Sequence, residues 1–544
     1  MLKTHSTLLR ISAVLLVASL WSASAQEPAK DAPANAKDEN KSAPAPIVPK
    51  DSTTQGTVTV DGHVINYQAV AGTIQVAATN DADAALGTTG QPAKETADAP
   101  ATARMFYVAY FKKDVSPESR PVTFLYNGGP GSSTMWLHMG AFGPRRVITA
   151  DDQHTSPAPY QLVDNAYSLL DASDLVFIDA PGTGFGRIYG KDKEKAFWAV
   201  DPDAHAFARF IARFLSNYQR WNSPKYLFGE SYGTTRSAVL ANILETESQI
   251  DLNGVVLLSQ ILNFDDSNDA PQWNPGIDLP YELALPTFAA TAYYHKRLPT
   301  QPAALEPFLS EVEQFALSDY ASALSQGSLL PQSTRQAIAE KMHQYTGLPV
   351  AYILKANLRV TTGEFNHNLQ GEDDLTTGRL DSRFSGPTMD PLAEEAAYDP
   401  QAAAIASAYV SAFNDYVRRQ LKFGEGLTYI PESDAINSAW EFKHKAPGSP
   451  GEAYGTNVMP DLATAMKYNP RLKIMLNGGY FDLATPFFAA RYEMNHLPIQ
   501  ANLRENIQYA WYQSGHMVYA HEDSLKQLHD KVAAFIAATW HPVK

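Results

Sequence analysis

The sequence predicts an α/β protein: a mostly parallel central sheet flanked by helices, preceded by an antiparallel β segment and interrupted by a largely helical insertion. Three observations predict it. Short apolar runs alternate with amphipathic helical stretches over residues 121–262. The same alternation resumes over 470–544, and between the two, 263–469 reads as helices separated by irregular, proline-rich segments. Apolar strands that alternate with amphipathic helices imply a parallel sheet covered on both faces. The chain has 544 residues, 44% of them hydrophobic and 19% charged, which is length and apolar content enough for a large core.

Residues 1–25 read as an export signal. Lys3 and Arg10 supply the positive region, "ISAVLLVASLW" (11–21) the apolar one, and Ala23-Ser24-Ala25 a small-x-small cleavage site. A spanning helix needs about 20 apolar residues, so no stable membrane anchor is expected. Residues 26–55, rich in Ala, Pro, Lys and Asp and without periodicity, read as a disordered linker. The chain has no cysteine, which excludes disulfides, a thiol nucleophile and a thiolate metal site. A net charge of −15 disfavours nucleic acid as a partner. The expectation is a periplasmic or secreted protein cleaved near Ala25; the sequence carries no signal for oligomeric state.

The N-terminal β segment is placed at 56–120. "TVTVDGHVINYQAV" (57–70) alternates and turns at Asp61-Gly62, a hairpin signal, and "GTIQVAA" continues it. Residues 79–103 read as a polar loop, and "RMFYVAYFKK" (104–113) as a further strand. The first part of the core, 121–262, opens with the strand-like run 122–126. "DLVFIDA" (174–180) is a strand, and in the helix "PDAHAFARFIARFLSNYQRW" (202–221) Phe207, Phe210, Ile211, Phe214 and Leu215 mark one apolar face. "KYLFGES" is a strand, "YGTTRSAVLANILET" a helix and "GVVLLSQIL" a strand. In the insertion, "ALEPFLSEVEQFALSDYASAL" and "AAAIASAYVSAFNDYVRRQL" are helical and suggest a lid. "RLKIMLNGG", "FFAARYEMNHL", "NIQYAWYQSG" and "SLKQLHDKVAAFIAATW" then give strand, helix, strand and closing helix in the second part of the core, 470–544.

The run 122–126 ends in Asn127-Gly128-Gly129-Pro130-Gly131, where a backbone almost bare of side chains implies close approach to something. It is not a phosphate cradle, for no Lys follows Gly131 and the G-x-G-x-x-G spacing is absent. Gly229-Glu230-Ser231-Tyr232-Gly233 is G-x-S-x-G between a strand and a helix, the context of a nucleophile elbow. A serine nucleophile needs a base, and the base an orienting acid. Asp482 and His516 follow later strands in the order Ser, Asp, His, at the strand ends where open α/β sheets place their ligands.

With these stretches together, the chain resembles the serine carboxypeptidase family of the α/β-hydrolase fold, as an exported bacterial member. The matching stretches are "LYNGGPGSS", "FGPRRV", "DNAYSLLDASDLVFIDAPGTGFG", "FGESYG", "LNGGYFDLATP" and "SGHMVY". The resemblance implies Ser231 as nucleophile, His516 as general base and acid, and Asp482 as the residue orienting His516. It implies an oxyanion hole from the N–H groups of Gly129 and Tyr232. The substrate's terminal carboxylate would be bound by Asn127, the Gly128 backbone and Glu230, the last in protonated form because like charges repel. The expected activity is removal of C-terminal residues from a peptide substrate, with no cofactor and no metal. An esterase or acyltransferase on the same triad is the alternative, and a non-catalytic peptide-binding protein the third reading.

Two departures stand out. The family's second carboxylate-binding Glu corresponds to Ala141, with Arg145 or Arg146 as substitute cations or ordinary surface residues. Ser132 stands where the family often has a disulfide-forming Cys. Of the remaining candidates, His138 reads as a packing residue, Glu372-Asp373-Asp374 as a solvated loop, and Arg379 and Arg383 as partners in salt bridges within the insertion or as contacts to an acidic substrate.

Overall fold

The computed structural model describes residues 49–89 and 99–540; the stretch expected to be an export signal and most of the expected linker lie outside them. Among the described residues ten strands form one sheet: β1 (Ser52–Val60), β2 (His63–Ala77), β3 (Thr102–Lys112), β4 (Val122–Tyr126), β5 (Asp174–Ile178), β6 (Arg187–Tyr189), β7 (Lys225–Glu230), β8 (Gly254–Leu258), β9 (Lys473–Gly479) and β10 (Ile507–Tyr512). Their spatial order is β1-β2-β3-β5-β4-β7-β8-β9-β10, with β6 off the end of β3. The first three strands run antiparallel, and β3 joins β5 antiparallel. From β5 to β10 every neighbour is parallel.

The alternating pattern of β1 buries Val58 and Val60 and exposes the residues between, as a strand covered on one face requires. The strands β4, β5, β7 and β8 are buried at every position. One face of the sheet carries α1 (Val200–Asn217) and α2 (Tyr232–Thr246). Phe207, Phe210 and Phe214 of α1 are fully buried there, each contributing roughly 1.5–3 kcal/mol. The insertion supplies α3 (Leu279–Tyr294), α4 (Leu305–Phe315), α5 (Gln332–Thr346), α6 (Pro400–Arg419) and α7 (Met459–Tyr468); α8 (Phe487–Asn495) and α9 (Glu522–Thr539) follow.

Three differences from the sequence reading have local causes. Ser52–Gln55, assigned to the linker, extend β1 and pair with Gln68–Ala71. Asn80–Thr89 of the expected polar loop is a helix, held by Asp83, whose Oδ1 accepts the Ala77 N–H at 2.8 Å and whose Oδ2 pairs with Arg213 at 2.8 Å. The insertion is not uniform. Its residues 279–369 build their own apolar core against Tyr480, Phe481 and Phe487, whereas α6 packs into the main core and α7 against α2. From Pro49 the chain is one compact unit, so the insertion is part of the main body and not a detachable one. Among the described residues no helix is long and apolar enough to cross a membrane.

Candidate active site

Two loops meet where β4 and β7 end side by side, with Tyr126 opposite Gly229. Ser231 leaves β7 with φ 60° and ψ −132°, a conformation that costs a residue with a side chain of order 1–3 kcal/mol and that clusters at functional sites. It stands at the start of α2, and its N–H is tied to Leu258 O at 3.0 Å. The glycine loop lies directly on this turn. A Cβ at Gly128 would fall 2.5 Å from Tyr232 N, and Gly129 has φ 101°. The loop is pinned by Arg236 of α2, which donates to Asn127 O at 2.8 Å and pairs with Asp203 at 2.7 Å. That guanidinium is buried and sits 4.3 Å over the Phe207 ring. Among the described residues, neither the Gly129 nor the Tyr232 N–H has a hydrogen-bond acceptor.

His516 and Asp482 are both buried and joined, Nδ1 to Oδ2, at 2.9 Å. Asp482 is held by the N–H groups of Ala484 and Thr485, each 2.9 Å from Oδ1, and by Thr485 Oγ1 at 2.6 Å from Oδ2. Burial by itself lowers the pKa of His516, but the charge and hydrogen bond of Asp482, with the Glu230 charge, outweigh it and raise the pKa. With Nδ1 engaged, Nε2 is the ring nitrogen left for Ser231. Ser231 and His516 line one cavity of about 290 Å³ with Asn127, Gly128, Gly129 and Glu230.

Glu230 is buried, and burial pushes its carboxyl up to about 7 against the lowering effects of His516, Tyr519 and Asn127. Its Oε2 accepts from Asn127 Nδ2 at 2.8 Å and from the Tyr519 hydroxyl at 2.9 Å; Oε1, 3.1 Å from the same hydroxyl, is the less engaged oxygen. Ala141 is buried in the core and does not line the cavity. Tyr519 stands beside Glu230 instead. It lies three residues beyond His516 in the quoted stretch "SGHMVY", so the motif pointed to the stretch but not to the contact.

The structure thus brings Ser231, Asp482, His516, Gly129, Tyr232, Asn127, Gly128 and Glu230 to one place. The weaker candidates are elsewhere or otherwise engaged. His138 is buried against the Phe177 ring, 4.3 Å between centroids, and is bonded to Tyr110 at 2.7 Å; burial drops its pKa to about 3. Arg145 pairs with Asp164 and Arg146 with Glu522, so neither serves Glu230. Asp373 pairs with Arg297 at the surface. Arg383 pairs with Asp381 and Asp151, and Arg379, at the cavity wall, is forked onto Asp269 at 2.8 and 2.7 Å.

A parallel sheet with a strained serine at a strand-to-helix elbow, followed in chain order by an acid and a histidine, defines an α/β-hydrolase. Within that class the chain belongs to the serine carboxypeptidase family, whose model matches residues 96–528. It is 26% identical over 185 residues to Serine carboxypeptidase-like 16 of Arabidopsis thaliana, covering 32% of this chain and 41% of that one. It is 31% identical over 163 residues to a pheromone-processing carboxypeptidase of Meyerozyma guilliermondii, covering 27% and 23%. The chain therefore spans less than half the length of these curated relatives. The crystal structure of a prohormone-processing carboxypeptidase from Saccharomyces cerevisiae shares the fold over 87% of this chain and 91% of its own, with TM-score 0.51 and 15% identity.

Proposed function

We propose that this protein is a serine-type carboxypeptidase that acts after export, in the periplasm or outside the cell, on peptides with a free C-terminus. The observation that carries the reading is Glu230. Burial raises this acid, adjacent in sequence to Ser231, to about 7 against the bonds it accepts from Asn127 and Tyr519, so that it holds its proton below neutral pH. A neutral acid can donate Oε1–H to a substrate carboxylate, where an ionised one would repel it. That contact places the last peptide bond, and no other, over Ser231.

Ser231 Oγ attacks the scissile carbonyl carbon while His516 Nε2 takes its proton; Asp482 holds the ring in the tautomer this requires. The oxyanion of the tetrahedral intermediate takes the Gly129 and Tyr232 N–H groups, each worth about 2.7–4 kcal/mol to the transition state. His516 then protonates the departing amine, and water enters by the same route to release the acyl group. No step requires a cofactor. An esterase or acyltransferase reading draws support from Ala141, which removes the family's second acid; Tyr519 restores a donor at Glu230 and favours the peptidase.

The Ser231→Ala variant tests the triad. It is expected to lose turnover by at least about 10³-fold and to resist a serine-directed phosphonate. Full activity or labelling in that variant contradicts the assignment.

A further inference from the structure

Residues 379–382 of the insertion touch both loops that carry the acid and the histidine. Phe481 O accepts from the Ser382 N–H at 2.9 Å and from Ser382 Oγ at 3.0 Å, and the Leu483 N–H donates to Arg379 O at 3.0 Å. On the other loop, the Gly515 N–H donates to Asp381 Oδ2 at 3.1 Å and the His516 N–H to Leu380 O at 2.6 Å. Both chain neighbours of Asp482, and His516 with the residue before it, are thereby tied to one short strap. The fit is close: a Cβ at Gly515 would lie 2.4 Å from the Asp381 Cβ.

The strap is fixed from its far side as well. The Arg379 and Leu380 N–H groups both donate to Asp399 Oδ2 at 2.7 Å, while the other Asp399 oxygen caps α6. Ser382 Oγ meets Thr291 Oγ1 at 2.6 Å and Ser382 O meets His295 Nε2 at 2.6 Å, both at the C-terminal end of α3. Asp381 is itself held by Arg383, whose Nε lies 3.0 Å from Oδ1 and whose terminal nitrogen lies 2.6 Å from Oδ2; the same guanidinium reaches Asp151 at 3.1 Å. Asp381 and Arg383 are buried, and neither lines the cavity. Burying an ion pair is weak grounds for stability, so this pair calls for another account.

We propose that Asp381 is a positioning residue: through Gly515 and the strap it sets the separation and angle of the Asp482–His516 pair, so that the insertion helps to assemble the catalytic geometry. The proposal rests on the triad reading above. A displacement of about 1 Å at reacting groups costs on the order of 10²-fold in rate, and the strap spans the loops over which such a displacement would occur.

The test is Asp381→Asn, in which one carboxylate oxygen becomes an NH2 group that faces a donor, Gly515 N–H or Arg383, in either amide orientation. Active sites are counted by phosphonate titration, and kcat and KM are measured per titrated site. The expected result is a kcat about tenfold or more below wild type, KM within about twofold, and phosphonate labelling slowed in step. A wild-type kcat per titrated site, with the damage confined to thermal stability or to the number of titratable sites, overturns the proposal. Should Asp381→Asn not fold, Ser382→Ala decides, since it deletes only the hydroxyl bonds to Phe481 O and Thr291 Oγ1. Lowered kcat at constant KM supports the strap, and unchanged kcat overturns it. Wild-type protein that takes no phosphonate at Ser231 removes the triad reading itself, a failure distinct from that of the strap.

Discussion

Glu230 and Ser231 are consecutive, so one turn of backbone sets both the proposed nucleophile and the carboxyl proposed to select the chain end. Their protonation makes opposite demands. His516 must be neutral to accept the Ser231 proton, while Glu230 must be protonated to accept a carboxylate. Each raises or lowers the other's pKa through charge, so the two limbs of the rate profile belong to the pair. The alkaline limb of kcat/KM is expected near pH 7, through a rise in KM as Glu230 ionises. Glu230→Gln should abolish that limb while retaining a donor. Tyr519→Phe removes a hydrogen bond that favours the charged carboxyl, so Glu230 should titrate higher and the limb move to higher pH. Profiles of kcat/KM from about pH 4 to 9 on one peptide check all three forms; a limb left unmoved in both variants contradicts the role given to Glu230. That Ser231, Asp482 and His516 would come together was legible in the sequence because each stands at a strand end within a short motif, and Glu230 entered with the family resemblance those motifs carry. Tyr519 was not, since its contact with Glu230 joins residues 289 positions apart and no local pattern encodes it.

At the scale of elements, α2 does more than follow the elbow. Arg236, one turn in, binds Asn127 O and Asp203 and so locks the glycine loop onto α2 and α1. Asp203 is fully buried beside it, and burial raises its pKa against the pull of that guanidinium. Arg236→Met leaves a buried carboxylate without its cation and is expected to cost about 3–5 kcal/mol of stability, read from urea unfolding midpoints at constant slope. A loss under about 1 kcal/mol would mean that the loop is held by its own turn. The alternation of apolar strand and amphipathic helix announced the elements of the core, whereas the helix at Asn80–Thr89 was hidden by its polar composition and is fixed by Asp83 through Arg213 of α1. The insertion was legible as helical but not in its division of labour. What separates α6, part of the main core, from α3–α5, with a core of their own, is which surface each apolar face meets, and periodicity does not record the partner.

At the scale of the whole molecule, several acids are buried among the described residues. Burial pushes Asp179, Glu230, Glu245 and Glu282 up to about 7 and Glu493 to about 8. Each binds its proton more tightly when folded than in the unfolded chain, where carboxyls titrate near about 4. Their contribution is thus fully present below about pH 4 and is lost as pH rises through 7 and 8. His444 acts in the same direction. Burial lowers its pKa, but Asp201 at 2.5 Å and Asp461 at 2.7 Å prevail and raise it to about 9, so its contribution is present below about 6.5 and lost as pH climbs through 9. Thermal midpoints at fixed ionic strength should therefore fall steadily from about pH 5 to pH 9. A midpoint that rose over that range would contradict the assignment of these groups as protonated in the fold.

The central claim is that the cavity reads a free chain end and cuts beside it with Ser231. Matched peptides with free and amidated C-termini, incubated with the wild-type protein and read by mass spectrometry over time, test it most directly. A ladder of products shortened from the C-terminus one residue at a time, from the free peptide alone and absent with Ser231→Ala, is the predicted result. Equal cleavage of both peptides, or ester hydrolysis with the peptides left intact, would contradict it.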